Sequence, residues 1–144
     1  MKKIAFLLVV IMVFSSACTA SKAGGEGLPV PSQWSLVSFG EGETETPVIE
    51  GSTLTLEFGE EGQAGGSGGC NSYGAKYEVK GNTLTIQEIT STLMACADEP
   101  VMQQELQYLG ALEAATSFEM AGDTLTILYN DGKGRLNFVK GTSG

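Results

Sequence analysis

The residues best able to do chemistry are two cysteines in distinct phrases, Gly68-Gly69-Cys70-Asn71-Ser72-Tyr73 and Ser91-Thr92-Leu93-Met94-Ala95-Cys96. Two such thiols can oxidise to a disulfide, persist as a redox-sensing or buried reduced pair, or offer thiolates to a soft metal. Met94 adds a thioether, so Cys70, Met94 and Cys96 together would suit monovalent copper. No CxxC pair and no Met-rich run reinforce that metal reading. Histidine is absent from all 144 residues, which removes the commonest general base and any Ser-His or Cys-His nucleophile. Glu41, Glu43, Glu45, Glu60 and Glu61 fall in turn-rich acidic stretches and read as solvated loops. The acidic spacing does not make a calcium loop. Gly62 to Gly69 lacks the Lys-Ser/Thr of a phosphate loop and leads into a strand, so a mobile hairpin turn or bulged strand is expected there. The sequence thus nominates no catalytic residue, no metal ligand set and no cofactor.

Which compartment the chain enters decides what those thiols do. Lys2 and Lys3 precede an apolar run, Ile4 to Phe14, of about 11 residues. A bilayer span needs ~20, so this run matches a signal-peptide core. Small residues Ser15, Ser16 and Ala17 then lead to Cys18, in a pattern that resembles a bacterial lipobox. Residues 1–17 are therefore read as a lipoprotein-type signal, with Cys18 as the lipidated first residue of the mature chain. Residues 18–31 form a small, polar, Gly-rich tether, and 32–140 the folded domain. Ordinary cleavage after Ala17 is the alternative, but it leaves an exposed free thiol in an oxidising compartment. With Cys18 spent on the anchor, Cys70 and Cys96 remain, and export favours their pairing. That bridge would close a loop of about 27 residues, worth ~3.5 kcal/mol by chain entropy.

Removing Lys2 and Lys3 moves the formal charge from −9 to about −11. Such an acidic surface argues against nucleic acid and against electrostatic adhesion to anionic lipid. The expected membrane contact is the lipid on Cys18, and the expected location the cell envelope. In a Gram-negative host that means the outer membrane, facing the periplasm.

The elements that must position the cysteines are mostly strands. Gly51-Ser52-Thr53-Leu54-Thr55-Leu56, Gly81-Asn82-Thr83-Leu84-Thr85-Ile86 and Gly122-Asp123-Thr124-Leu125-Thr126-Ile127 repeat one turn-then-strand phrase. Period-2 alternation turns Thr outward and Leu or Ile into a core. Trp34 to Phe39, Ser72 to Val79 and Arg135 to Val139 read as further strands, and Asn130-Asp131-Gly132 as a tight turn. One helix interrupts them. Asp98 or Glu99 can cap it, Pro100 suits its first turn, and it ends near Ala114. Met102, Leu106, Leu109 and Leu112 follow 3–4 spacing, which predicts the buried stripe, with Gln103, Gln104, Gln107 and Glu113 exposed. The fold class is mainly β with one amphipathic helix (α+β), about eight short antiparallel strands with the helix packed on or into an incomplete barrel.

GCN-x-Y, then T-x-M-A-C, then a helix carrying Gln104-Glu105, resembles the META/HslJ domain family of small envelope proteins. The resemblance runs from Trp34 to Val139 and rests on Trp34, Gly69, Cys70, Asn71, Tyr73, Thr92, Met94, Ala95, Cys96 and Glu105. It implies a compact β-rich fold similar to secretion-pilot lipoproteins with a cracked barrel. In some relatives it implies a link to heat or envelope stress and antibiotic tolerance. Asn71 reads as a turn or bulge anchor, and Trp34 and Tyr73 as core aromatics with bonded polar tips. The expected function is a non-enzymatic, monomeric, membrane-anchored module that binds or assembles an unidentified envelope protein. The alternative is a barrel holding a small, lipid-like apolar ligand, with those aromatics lining its cavity.

Overall fold

The computed structural model describes residues 27–141. The signal, Cys18 and most of the tether lie outside the described residues. Nine strands appear in the order β1 (Ser32–Glu41), β2 (Thr46–Pro47), β3 (Thr55–Phe58), β4 (Gln63–Ser67), β5 (Ser72–Lys80), β6 (Thr83–Ser91), β7 (Ala115–Ala121), β8 (Thr124–Tyr129) and β9 (Gly134–Lys140). Among the described residues one α-helix, α1 (Glu99–Glu113), joins β6 to β7, and a single 3-10 turn, Glu60–Gly62, precedes β4. Each strand pairs antiparallel with its neighbour, and β1 pairs with both β3 and β9. Eight strands therefore close into a barrel, and the short β2 lies outside the ring against Ser38 and Phe39 of β1.

The ring is closed, which corrects the incomplete barrel expected from the sequence. Its thinnest seam is β6–β7, where one register pair, Thr83 with Ser117, carries the ladder. The amide of Phe118 adds a hydrogen bond to the Asn82 carbonyl at 2.9 Å. The chain leaves the ladder there because β6 runs on to Ser91 and must cross the barrel mouth before β7 begins.

The three repeated phrases behave as alternation demands. Leu54, Leu56, Leu84, Ile86, Leu125 and Ile127 are all buried, while Thr53, Thr83 and Thr124 are exposed. Trp34, Phe58, Leu136 and Phe138 fill the interior with them. From above, α1 adds Tyr108, Ala111 and Leu112. Side chains thus occupy the barrel interior. The Gly-rich segment is a paired strand, β4, because it must pass close to both neighbours. A Cβ on Gly66 would collide with the Thr55 carbonyl of β3.

The expected helix face is corrected as well. Leu112 is buried, but Leu106 is 63% exposed and Met102 37%. The buried face is instead Gln104, Glu105, Tyr108, Ala111 and Leu112. A helix that plugs a barrel mouth meets strand ends whose backbone groups have lost their ladder partners. Polar side chains satisfy those groups and leucine cannot. Gln104 shows this directly: its Oε1 accepts from the Ile49 amide at 2.8 Å, and its Nε2 donates to Ser52 Oγ at 2.9 Å.

Candidate functional site

The helix begins where the two cysteine phrases meet. Asp98 caps it, accepting from the Val101 amide, and Pro100 occupies the first turn. This cap sets the rotation of α1, so Glu105 points down at the turn between β4 and β5. That turn needs glycine. Gly69 has φ +104°, and a Cβ on Gly68 would overlap the Glu105 carboxyl group.

Glu105 gathers the turn. Its Oε2 accepts from the backbone amides of Asn71 (2.6 Å) and Cys70 (3.2 Å), and its Oε1 from Asn71 Nδ2 (2.6 Å). Asn71 passes the connection on. Its Oδ1 accepts from the Met94 amide at 2.7 Å and from Thr92 Oγ1 at 2.9 Å. The Thr92 amide donates to the Ser72 carbonyl at 3.0 Å. Cys70 and Cys96 are joined by a disulfide with Cα atoms 6.1 Å apart, inside the usual range. The segment from Thr92 to Cys96 is therefore held at both ends, and between them Leu93 stands 95% exposed and Met94 61%.

Below this lies an aromatic pair. The Tyr73 and Tyr108 hydroxyls are 3.0 Å apart and lie 2.8 and 3.0 Å from the Thr55 carbonyl; with one proton each, Tyr73 donates to the carbonyl and Tyr108 to Tyr73. Burial pushes Tyr108 well above the usual phenol range, and its neighbour Tyr73 adds to this. Burial likewise raises Tyr73, partly offset by the hydrogen bond from Tyr108. Both phenols stay neutral at physiological pH, so neither supplies a base. Among the described residues no buried side-chain oxygen or nitrogen lacks a partner.

The structure thus brings Gly69, Cys70, Asn71, Thr92, Met94, Cys96 and Glu105 together, with Tyr73 one layer beneath. Trp34 is separate: it is buried in β1 and donates to Ser32 Oγ at 2.9 Å, near the end where the chain enters the barrel. Ala95 is exposed in the loop. Met94 takes part through its backbone. With both sulfurs bonded to each other, no thiolate remains for copper in this state. Among the described residues no group of three or more His, Cys, Asp or Glu side chains forms a metal cluster. Sequence reasoning named Gln104 in the motif but expected it exposed, and it missed Tyr108 and Ser52. The available signal was the spacing of Gln104, Tyr108 and Ala111, which share a face with Glu105 and Leu112.

Two surface clefts flank α1. One of about 550 Å³ runs between Phe39, Thr44, Tyr129 and the Gln107–Ala114 side of the helix. Another of about 500 Å³ lies over the disulfide, lined by Ser52, Cys96, Asp98 and Val101.

The family model for the META domain matches residues 28–142. A solved structure from Burkholderia xenovorans is similar over 79% of this chain and 84% of its own, at 27% identity and a TM-score of 0.67. A DUF4847 family protein from Bacteroides vulgatus shares the fold, with 15% identity, 80% and 96% of the two chains covered, and a TM-score of 0.57. Among curated proteins, none matches the sequence significantly.

Proposed function

The chain belongs to the META domain family, and from that premise we propose that it is a non-enzymatic binding or assembly module. It works at the bacterial envelope, held to a membrane by lipid on Cys18. One observation carries the reading. Glu105, Asn71 and Thr92 spend their side-chain polar groups on one another and on main-chain amides, while Leu93 and Met94 are held out to solvent. An enzyme site directs polar groups into free space where substrate can sit. Here the groups point at one another and at main-chain amides. Rigid presentation of apolar side chains is how a recognition surface lowers the entropy cost of binding. A role in heat or envelope stress, or in antibiotic tolerance, accords with this reading through family resemblance.

Three measurements test it. Wild-type chain should label with palmitate and sediment with membranes, and Cys18→Ser should do neither. An unlabelled, soluble wild type overturns the anchor. Chemical cross-linking in intact envelopes should then capture a protein partner. A substitution of Asn71 or Glu105 that abolishes a chemical turnover while leaving the melt unchanged would replace the binding reading with an enzymatic one.

A further inference from the structure

The fold buries Leu112 of the stripe that helical spacing marks as apolar and leaves its N-terminal part, Met102 and Leu106, unpartnered. Glu99, Met102, Leu106, Leu109 and Glu113 succeed one another at 3–4–3–4 spacing on one flank of α1. Leu109 is half-buried against the core, while Met102 and Leu106 face solvent. The stripe is therefore apolar in the middle and acidic at both ends. Glu113 sits in the last turn, where the helix dipole disfavours a negative charge, and the last turn carries no base to offset it. Neither the barrel nor the helix explains these placements. Leu93 and Met94, on the pinned loop that feeds the same helix, are exposed as well.

The position of α1 leaves this flank open. The chain enters at Ser32, which pairs with Phe58, and leaves at Lys140, which pairs with Trp34, at one end of the barrel. The helix joins Ser91 to Ala115 at the other end, where Ala115 pairs with Tyr129 and Glu41 with Gly134. The mouth covered by α1 thus faces away from the described chain ends.

We propose that this flank is a docking surface for an amphipathic helix of another protein, one whose apolar stripe is bracketed by Lys or Arg. The proposal rests on the binding-module reading and names its surface and the chemistry of its partner. Stripes at 3–4 spacing pack by interdigitating with a second helix, and ~15 residues match the roughly 21 Å from Glu99 to Glu113. Charge selects among occupants. A second copy would set Glu99 against Glu113 in an antiparallel pair, or like against like in a parallel one. Anionic headgroups would meet the same two acids. No Lys or Arg lies anywhere on α1, so a partner with basic flanks is complementary along the whole stripe.

The test places a photo-cross-linking residue in the full-length chain, in its own envelope, at Leu106 and separately at exposed Val37 and Val139 on the barrel wall. A protein adduct from position 106 is expected, with a cross-linked peptide that reads as a basic amphipathic helix. Glu99→Gln with Glu113→Gln should cut its yield about tenfold, the equivalent of two surface charge pairs, with an unchanged melt. Adducts from Val37 or Val139 alone overturn the surface and leave the binding-module reading standing. No protein adduct from any position overturns both. A cross-link to a second copy, to phospholipid, or to a partner whose yield ignores the charge change overturns the partner assignment.

Discussion

Asn71 uses both ends of its side chain, and its worth follows from that. Its amide nitrogen serves Glu105 and its oxygen serves Thr92 and Met94, with Asn71 and Glu105 themselves buried. Asn71→Ala should therefore cost ~3 kcal/mol, because it orphans partners on both sides where removing one surface hydrogen bond costs far less. Urea denaturation checks this, and a loss below ~1 kcal/mol would mean the network is dispensable. The tyrosine pair makes a second residue-scale prediction. Burial raises the folded-state pKa of Tyr73 and Tyr108 above the unfolded value near 10. Below pH ~10 both states hold the phenol protons, so the contribution is intact. Above it the unfolded chain loses them first, and stability falls as pH rises. Phenolate absorbance from these two should appear only with unfolding, and Tyr73→Phe with Tyr108→Phe should flatten the alkaline loss. Ionisation of either near pH 10 in a folded chain would contradict the burial.

At the scale of the element, α1 reverses the usual reading of an amphipathic helix. Its leucines divide between two faces: Leu112 enters the core, while Leu106 looks outward beside Gln107. Leu112→Ala should cost ~2–5 kcal/mol through the cavity it leaves. Leu106→Gln should stay within about 0.5 kcal/mol of wild type. Equal losses at the two positions would restore the stripe that spacing alone suggests. Thermal melts of the pair decide it, and they also supply the folding control for any partner-binding measurement at Leu106.

The whole molecule is a small barrel whose ladder is thinnest at β6–β7 and whose helix bridges that gap from above. The Cys70–Cys96 bridge ties the start of β5 to the approach to α1, so it holds the plug onto the barrel. Cys70→Ala with Cys96→Ala should cost ~2–5 kcal/mol. Hydrogen exchange should show the loss first at α1 and residues 92–98, with β1, β8 and β9 still protected. Uniform loss across the barrel would mean that the bridge stabilises the fold as one unit. Non-reducing peptide mapping of envelope-purified chain supplies the companion observation, a linked Cys70–Cys96 peptide.

Local pattern determined a good deal of this protein. Alternation placed Leu54, Leu56, Leu84, Ile86, Leu125 and Ile127 inside, because a strand with one wet face has a single workable phase. Asp98 and Pro100 set the helix start, because capping is a matter of adjacent residues. The GCN and MAC phrases flagged the site for a similar reason, since turn glycines and paired cysteines leave short-range marks. Ring closure was not legible, because it depends on Trp34 meeting Lys140 and Thr83 meeting Ser117, pairings between distant segments. Nor was the face of α1 that turns inward. A periodicity records which residues share a side of a helix, but not what that side will touch. The barrel mouth presents unpaired amides of Ile49, Cys70 and Asn71, and only the assembled structure places Gln104 and Glu105 against them, which sends Met102 and Leu106 out into water.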